Sequence, residues 1–228
     1  MRKRNIRKAA AALTALALCA GVLSGCGGAA SSTASSAASS SAAASSEASG
    51  EDADEAAAKN VADLIDAIYV QERNDSTDEQ CVAAKAAWDA LTDAQKELVE
   101  GENADPDYFG RDTGDASKDA ARNEDNIGEN ELLVVSFGTS FNDSRVKDIK
   151  GIEDALQAAY PDWSVRRAFT AQIIINHVQA RDGEKIDNMQ QAMDRAVANG
   201  VKNLIVQPTH LMHGAEYDEM MEMIDSYR

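Results

Sequence analysis

The sequence has few of the residues that build metal sites or hold small exported domains together. Its 228 residues include three cysteines and three histidines. Cys19 lies in an apolar N-terminal stretch and Cys26 follows that stretch, so Cys81 is the one cysteine left for a folded region. This pattern excludes a framework of disulfides, and it predicts that Cys81 is a small buried side chain on a helix.

Positive charge is scarce as well. The chain has 22 Lys and Arg against 39 Asp and Glu, which gives a formal net charge of −17 at pH 7. Several of the basic residues lie close to the N-terminus, which leaves the rest of the chain more acidic still. Nucleic acids and anionic lipid headgroups bind cationic surfaces, so the composition excludes both as direct partners.

The N-terminus has the pattern of an export signal. Basic residues precede a short apolar stretch, Ala9 to Val22, which is too short and too rich in small residues for a stable membrane span. The sequence Leu23-Ser24-Gly25-Cys26 resembles the bacterial lipobox, which implies cleavage before Cys26 and acylation of that residue. We therefore predict a lipoprotein signal peptide over 1–25 and an exported protein, lipid-anchored to the cell membrane on its extracytoplasmic face or in the periplasm. The alternative is an ordinary secretory signal with a chance cysteine.

Three segments of different composition follow. Residues 26–50 are almost entirely Ser, Ala and Gly, which predicts a disordered, lipid-anchored tether. Residues 51–100 carry apolar residues at helical spacing and predict a small helical module, which resembles short modules repeated in surface proteins of Gram-positive bacteria and would serve as a spacer or docking piece. Residues 101–130 are acidic and poor in apolar residues, and Tyr108 and Phe109 have no periodic partners, so we predict a linker.

The region 131–228 alternates apolar runs with amphipathic stretches. The runs predict strands over 132–136, 164–168 and 203–207, and the stretches beside them predict helices, one of them capped by Asp187. Alternating strands and helices of this length predict an α/β fold with a parallel sheet covered on both faces. In such sheets ligands collect beyond the carboxyl ends of the strands, and two histidines follow the third strand.

A tight turn, Phe137-Gly138-Thr139-Ser140, follows the first strand. Its glycine permits close backbone approach, and the hydroxyl and N–H groups of Gly138, Thr139 and Ser140 suit an anion such as a carboxylate. The turn is neither a P-loop nor a dinucleotide-binding fingerprint, because the lysine of the first and the glycine spacing of the second are missing. We therefore expect no organic cofactor.

Three motifs together resemble the anaerobic cobalt chelatases, the sirohydrochlorin cobaltochelatases of cobalamin synthesis, which are similar in fold to ferrochelatases. The motifs are Val134 to Ser140, Arg166 to Ile174, and Val206 to His210 followed by Gly214-x-Glu216-Tyr217. The resemblance implies a metal chelatase, a lyase, that inserts a divalent metal into a sirohydrochlorin-like tetrapyrrole held in a cleft. It implies Co²⁺ as the metal, with Fe²⁺ and Ni²⁺ as alternatives.

The resemblance also implies roles for single residues. His210 would bind the incoming metal and help to remove pyrrole protons, and a neutral imidazole suits both tasks. The turn 138–140 would line the cleft, and Arg166 would pair with substrate carboxylates. The spacing His210-x-x-His213 is compatible with two ligands to one ion, although these chelatases usually have a small polar residue at the second position.

Chelatases of this kind have a second α/β lobe with further ligands. The sequence reaches residue 228 inside a predicted helix, so we expect 131–228 to be an incomplete, ferrochelatase-like first lobe that is inactive by itself. The alternative is a surface-anchored tetrapyrrole- or metal-binding lipoprotein without catalysis, which the exported location favours. A homo-oligomer is an open alternative to a monomer.

Overall fold

The computed structural model describes residues 41–228, with side chains from residue 50 onward. The predicted signal peptide (1–25) and Cys26 lie outside the described residues, as does the first part of the predicted tether. The first helix begins at Ser41, inside the stretch predicted as a tether. None of the helices in the described part of the chain is long and apolar enough to cross a membrane.

An all-helical start is followed by alternating strands and helices. The helices are α1 (Ser41–Ile68), α2 (Thr77–Asp89), α3 (Asp93–Lys96), α4 (Asp107–Gly110), α5 (Asn142–Ser144), α6 (Lys150–Ala159), α7 (Gln172–Asp182), α8 (Met189–Ala198) and α9 (Ala215–Ser226). A 3₁₀ turn spans Ala116–Lys118, and a π-helical turn over Arg145–Ile149 joins α5 to α6. The strands are β1 (Asn130–Ser136), β2 (Ser164–Phe169) and β3 (Asn203–Pro208). They form one parallel sheet in the order β2-β1-β3, which confirms the predicted α/β fold.

The central strand β1 is buried because helices cover both faces of the sheet. Leu133 and Val135 pack with residues of α8 and α9, whereas Leu132 and Val134 pack with Leu156 of α6 and its neighbours. This is the reason why β1 is a continuous apolar run rather than an alternating pattern. The register pairs Ser136 with Phe169 and Val135 with Pro208, so the three strands end level with one another.

Helix α8 is capped by a different residue from the one predicted. The Asn188 side chain accepts a hydrogen bond from the Gln191 backbone N–H, and the Gln191 side chain accepts one from the Asn188 N–H. The Asp187 carboxylate is buried and binds Arg195 and Asn123 instead. The prediction of Asp187 as the cap is wrong, because Asp and Asn cap equally well and stand side by side here.

The helical module is docked on the α/β lobe through α2 and α7. The Asn176 side chain on α7 donates to the carbonyl oxygen of Ile68 at 2.8 Å, and Cys81 Sγ lies 3.5 Å from the Asn176 carbonyl oxygen. Cys81 is fully buried, as the sequence predicts, and this burial raises the pKa of its thiol to about 11. The module and the lobe therefore belong to one compact unit.

The segment predicted as a linker also packs on its neighbours. Tyr108 and Phe109 are buried, with the Tyr108 ring stacked on His177 at 4.0 Å and the Phe109 ring 5.8 Å from Trp88. His177 on α7 is half-buried and hydrogen-bonds the Tyr108 carbonyl oxygen at 2.5 Å. The sequence does not reveal these contacts, because the partners lie on distant elements and leave no local periodicity.

Candidate active site

Hydroxyl and backbone groups connect the carboxyl ends of the three strands. The Thr170 backbone N–H, just after β2, donates to the Ser136 carbonyl oxygen at 2.9 Å. The Thr209 N–H, just after β3, donates to the Val135 carbonyl oxygen at 2.9 Å, and its hydroxyl donates to Ser136 Oγ at 2.9 Å. These bonds fix the chain on either side of β1, and so they fix the position of the next residue, His210.

His210 lies half-buried at this edge of the sheet. Its Nε2 is 3.5 Å from Thr170 Oγ1, at the outer limit of a hydrogen bond. Its Nδ1 is buried and has no hydrogen-bond partner within the described residues. A buried polar atom without a partner is uncommon in proteins, and an imidazole nitrogen of this kind is available to bind a metal or a proton.

The turn after β1 forms a second wall of the same edge. Gly138 has a φ of 100°, in the region that favours glycine, and a Cβ at this position would lie 2.5 Å from the Phe169 ring. Thr139 Oγ1 accepts the Phe141 backbone N–H at 3.2 Å, which closes the turn. The turn therefore brings its backbone close to the end of β2, as the glycine in the sequence predicts.

Known proteins are similar in sequence to this sheet and its edge. Residues 130–228 match the family model of cobalt chelatase (CbiK). These residues are therefore similar in sequence to the cobalt chelatases, and we call 130–228 the chelatase region. The sirohydrochlorin cobaltochelatase of Salmonella typhimurium is 39% identical over 97 residues, which make up 42% of this chain and 37% of that protein. The chain thus spans 37% of the length of this curated relative, and the family match begins at β1 and includes the whole sheet.

His213 lies apart from the hydrogen bonds around His210. Its side chain is 72% exposed, its Nε2 lies 2.6 Å from Asp218 Oδ1, and its ring meets Tyr217 edge-on at 4.7 Å. In the described part of the chelatase region, no group of three or more His, Cys, Asp and Glu side chains is arranged to hold a metal ion. His210 is accordingly the better placed of the two histidines predicted as metal ligands.

Arg166 is not at the edge where a substrate would bind. It is the third residue of β2, opposite Leu133, and its Nη1 is 2.5 Å from Glu124 Oε2. The strand continues to Phe169, so Arg166 lies roughly 10 Å short of the carboxyl edge at the usual rise of a strand. The carboxylate that Arg166 contacts is thus that of Glu124, and burial lowers the pKa of this guanidinium.

A pocket of about 170 Å³ lies beside the carboxyl edge of the sheet, and its lining includes Thr170 after β2 and Glu216 in the first turn of α9. The helical module contributes Gln71 to the same pocket. The sequence offers a signal for Thr170, since it follows β2 directly, as His210 follows β3 closely. It offers none for Gln71, because only the docking of the module brings that residue near.

Proposed function

We propose that the chelatase region binds a tetrapyrrole at the carboxyl edge of its sheet and acts in the insertion of a divalent metal, with Co²⁺ as the first choice. One observation carries this proposal: His210 lies at the strand end with a buried Nδ1 that has no partner among the described residues. Insertion replaces pyrrole N–H protons with the metal. A neutral imidazole beside the macrocycle can bind the ion and then accept a proton, so one residue serves both steps.

The surroundings of His210 suit a flat macrocycle with carboxylates at its rim, the class to which sirohydrochlorin belongs. Phe137 is 46% exposed and Met212 is 82% exposed, and both lie in the loops that follow strands at this edge, where they offer apolar contact. The protein has a formal net charge of −17, which disfavours a polycarboxylate unless local donors compensate. The backbone N–H groups of the turn 138–140 are such donors, and we assign one substrate carboxylate to them.

The second candidate is binding of a tetrapyrrole or a metal without insertion. The observation that favours it is the pairing of His213 with Asp218, which leaves His210 as the one imidazole engaged with the strand ends in the described structure. A single imidazole binds a divalent ion less tightly than a full ligand set, because tight sites for such ions use several ligands.

The two candidates are separated by following cobalt insertion into sirohydrochlorin by absorbance. The protein is the chain from residue 50 onward, with His210→Ala as the test variant and His213→Ala as the matched control. Chelatase activity, against the expectation from sequence that residues 131–228 are inactive by themselves, predicts turnover that is lost in His210→Ala and kept in His213→Ala. Binding without turnover in the unmodified chain supports the second candidate, and neither binding nor turnover refutes both.

We also propose that the protein is exported and anchored through lipid on Cys26. The support is the match of residues 23–26 to the lipobox. In a bacterial host fed radiolabelled fatty acid, the chain should incorporate label and sediment with membranes. Cys26→Ser should lose both properties, whereas Cys19→Ser, which alters the predicted signal peptide, should keep them. A Cys26→Ser variant that retains its label would refute the anchor.

A further inference from the structure

The turn 138–140 presents backbone donors that the protein itself does not use. The backbone N–H groups of Gly138, Thr139 and Ser140 donate to no other group in the described part of the chain. Two carbonyl groups of the same turn are occupied, because Arg145 Nη1 donates to the Thr139 oxygen at 3.3 Å and Arg181 Nη2 donates to the Ser140 oxygen at 2.6 Å. Successive N–H groups of this kind form an anion-binding concavity, provided that the backbone is held still.

Arg145 is held by a residue from outside the chelatase region. Its Nε donates to Asp119 Oδ2 at 2.8 Å, and both side chains are fully buried. Asp119 also accepts from Arg167 at 2.8 and 2.9 Å, and Arg167 is paired in turn with buried Glu153. Asp119 thus binds two buried arginines at once, and it lies in the segment before β1.

Other acids near Arg145 cannot replace Asp119. Asp182 and Glu184 lie 3.8 and 3.5 Å from Arg145 Nη2, beyond a good charge-assisted hydrogen bond. Burial raises the pKa of Glu184, which weakens it as a countercharge, and Asp182 is paired with Arg181 at 2.6 Å. Asp119 is therefore the acid that fixes the orientation of the Arg145 guanidinium.

We infer that Asp119 is a positioning residue of the candidate site: it holds Arg145, and Arg145 holds the turn 138–140 in the form that receives a carboxylate of the tetrapyrrole. The identity of the ligand rests on the proposed function, whereas the holding of the turn rests on the contacts of Asp119 alone. The segment before β1, which lies outside the family match, is in this way a working part of the candidate site.

The test compares Asp119→Asn with Asp115→Asn in the intact chain. Asp115 lies in the same segment, but its carboxylate is about half exposed and binds Ser117. Two readouts report on the turn: the rate of chymotrypsin cleavage after Phe137 and Phe141, which are 46% and 43% exposed, and the dissociation constant for sirohydrochlorin. Both should rise about tenfold in Asp119→Asn, as expected when one charge-assisted hydrogen bond is lost, and neither should change in Asp115→Asn.

Cobalt affinity and a second variant separate positioning from a general loss of structure. A positioning role predicts that cobalt affinity stays unchanged in Asp119→Asn, since Asp119 does not contact His210, whereas general loosening would weaken it too. If Asp119→Asn fails to fold, Arg145→Lys decides, because lysine keeps the charge beside Asp119 but is too short to bind both Asp119 and the Thr139 carbonyl. Unchanged cleavage and affinity in a folded variant would overturn the inference. If the unmodified chain binds no tetrapyrrole, the proposed function fails, and the cleavage rates still decide whether Asp119 holds the turn.

Discussion

Replacement of Gly138 by alanine tests whether the turn after β1 is as tightly determined as its geometry indicates. At a φ of 100° an alanine is strained, at a cost of about 1–2 kcal/mol. The new Cβ would lie 2.5 Å from Phe169 Cδ2 and 2.8 Å from Cγ, and the ring is fully buried beside Ile175 and Ile186. The shifts needed to accommodate this contact cost about 1–3 kcal/mol. Together with the backbone strain, they should lower the free energy of unfolding by roughly 2–5 kcal/mol.

The assay is urea unfolding followed by the fluorescence of Trp88 and Trp163. The matched control is Gly151→Ala, because Gly151 is exposed in α6 and a Cβ added there would have no atom within 4 Å. In that helix the same substitution should increase the free energy of unfolding by about 0.5–1 kcal/mol. If Gly138→Ala is as stable as the parent, neither the strain nor the contact with Phe169 has the energy assigned to it.

Three further predictions concern buried groups. Burial lowers the pKa of His177 to about 4 from 6.5, so between these pH values the unfolded chain binds a proton that the folded protein does not. The free energy of unfolding should therefore fall as the pH drops from about 6.5 towards 4. In urea unfolding, His177→Gln should flatten this dependence. Burial raises the pKa of Glu131 to about 7 from 4.5, so the free energy of unfolding should fall by up to about 3 kcal/mol as the pH rises through that window. An equal dependence of the unfolding free energy on pH in Glu131→Gln would contradict this. Cys81 is buried with a thiol pKa of about 11, so it should react with a disulfide reagent only at the rate of opening, and fast labelling of the native protein would contradict its burial.

The sheet and its edge follow from local features of the sequence. A strand covered on both faces needs apolar residues throughout, and the run in β1 shows this directly. The order strand, polar residue, helix then places His210 and the turn 138–140 beyond the strand ends, since parallel strands end on the same side. A glycine just after a predicted strand also indicates a tight turn. The structure gives the reason, because a side chain at position 138 would be strained at a φ of 100° and would collide with the Phe169 ring.

The contacts that hold this edge depend on pairings between distant residues. Arg166 and Arg167 are adjacent, and alternation along a strand sends their side chains to opposite faces. The sequence does not reveal that Arg167 meets Asp119 and Glu153 in the interior while Arg166 meets Glu124. In the same way the acidic segment contains several aspartates, and only the folded arrangement selects Asp119 for burial.

The family match therefore begins at residue 130 without marking a boundary of the folded unit. Backbone bonds join the preceding segment to the lobe, from the Asp143 N–H to the Thr113 carbonyl oxygen at 2.8 Å and from the Arg167 N–H to the Arg122 carbonyl oxygen at 3.2 Å. Without that segment, the buried guanidinium of Arg145 would lose its closest carboxylate, that of Asp119. An unpaired buried charge costs about 3–5 kcal/mol, a large share of the roughly 5–15 kcal/mol that stabilises a typical domain. The chemistry proposed for His210 is for this reason a property of the lobe together with the acidic segment, and the segment that resembles a linker in the sequence acts as part of the core.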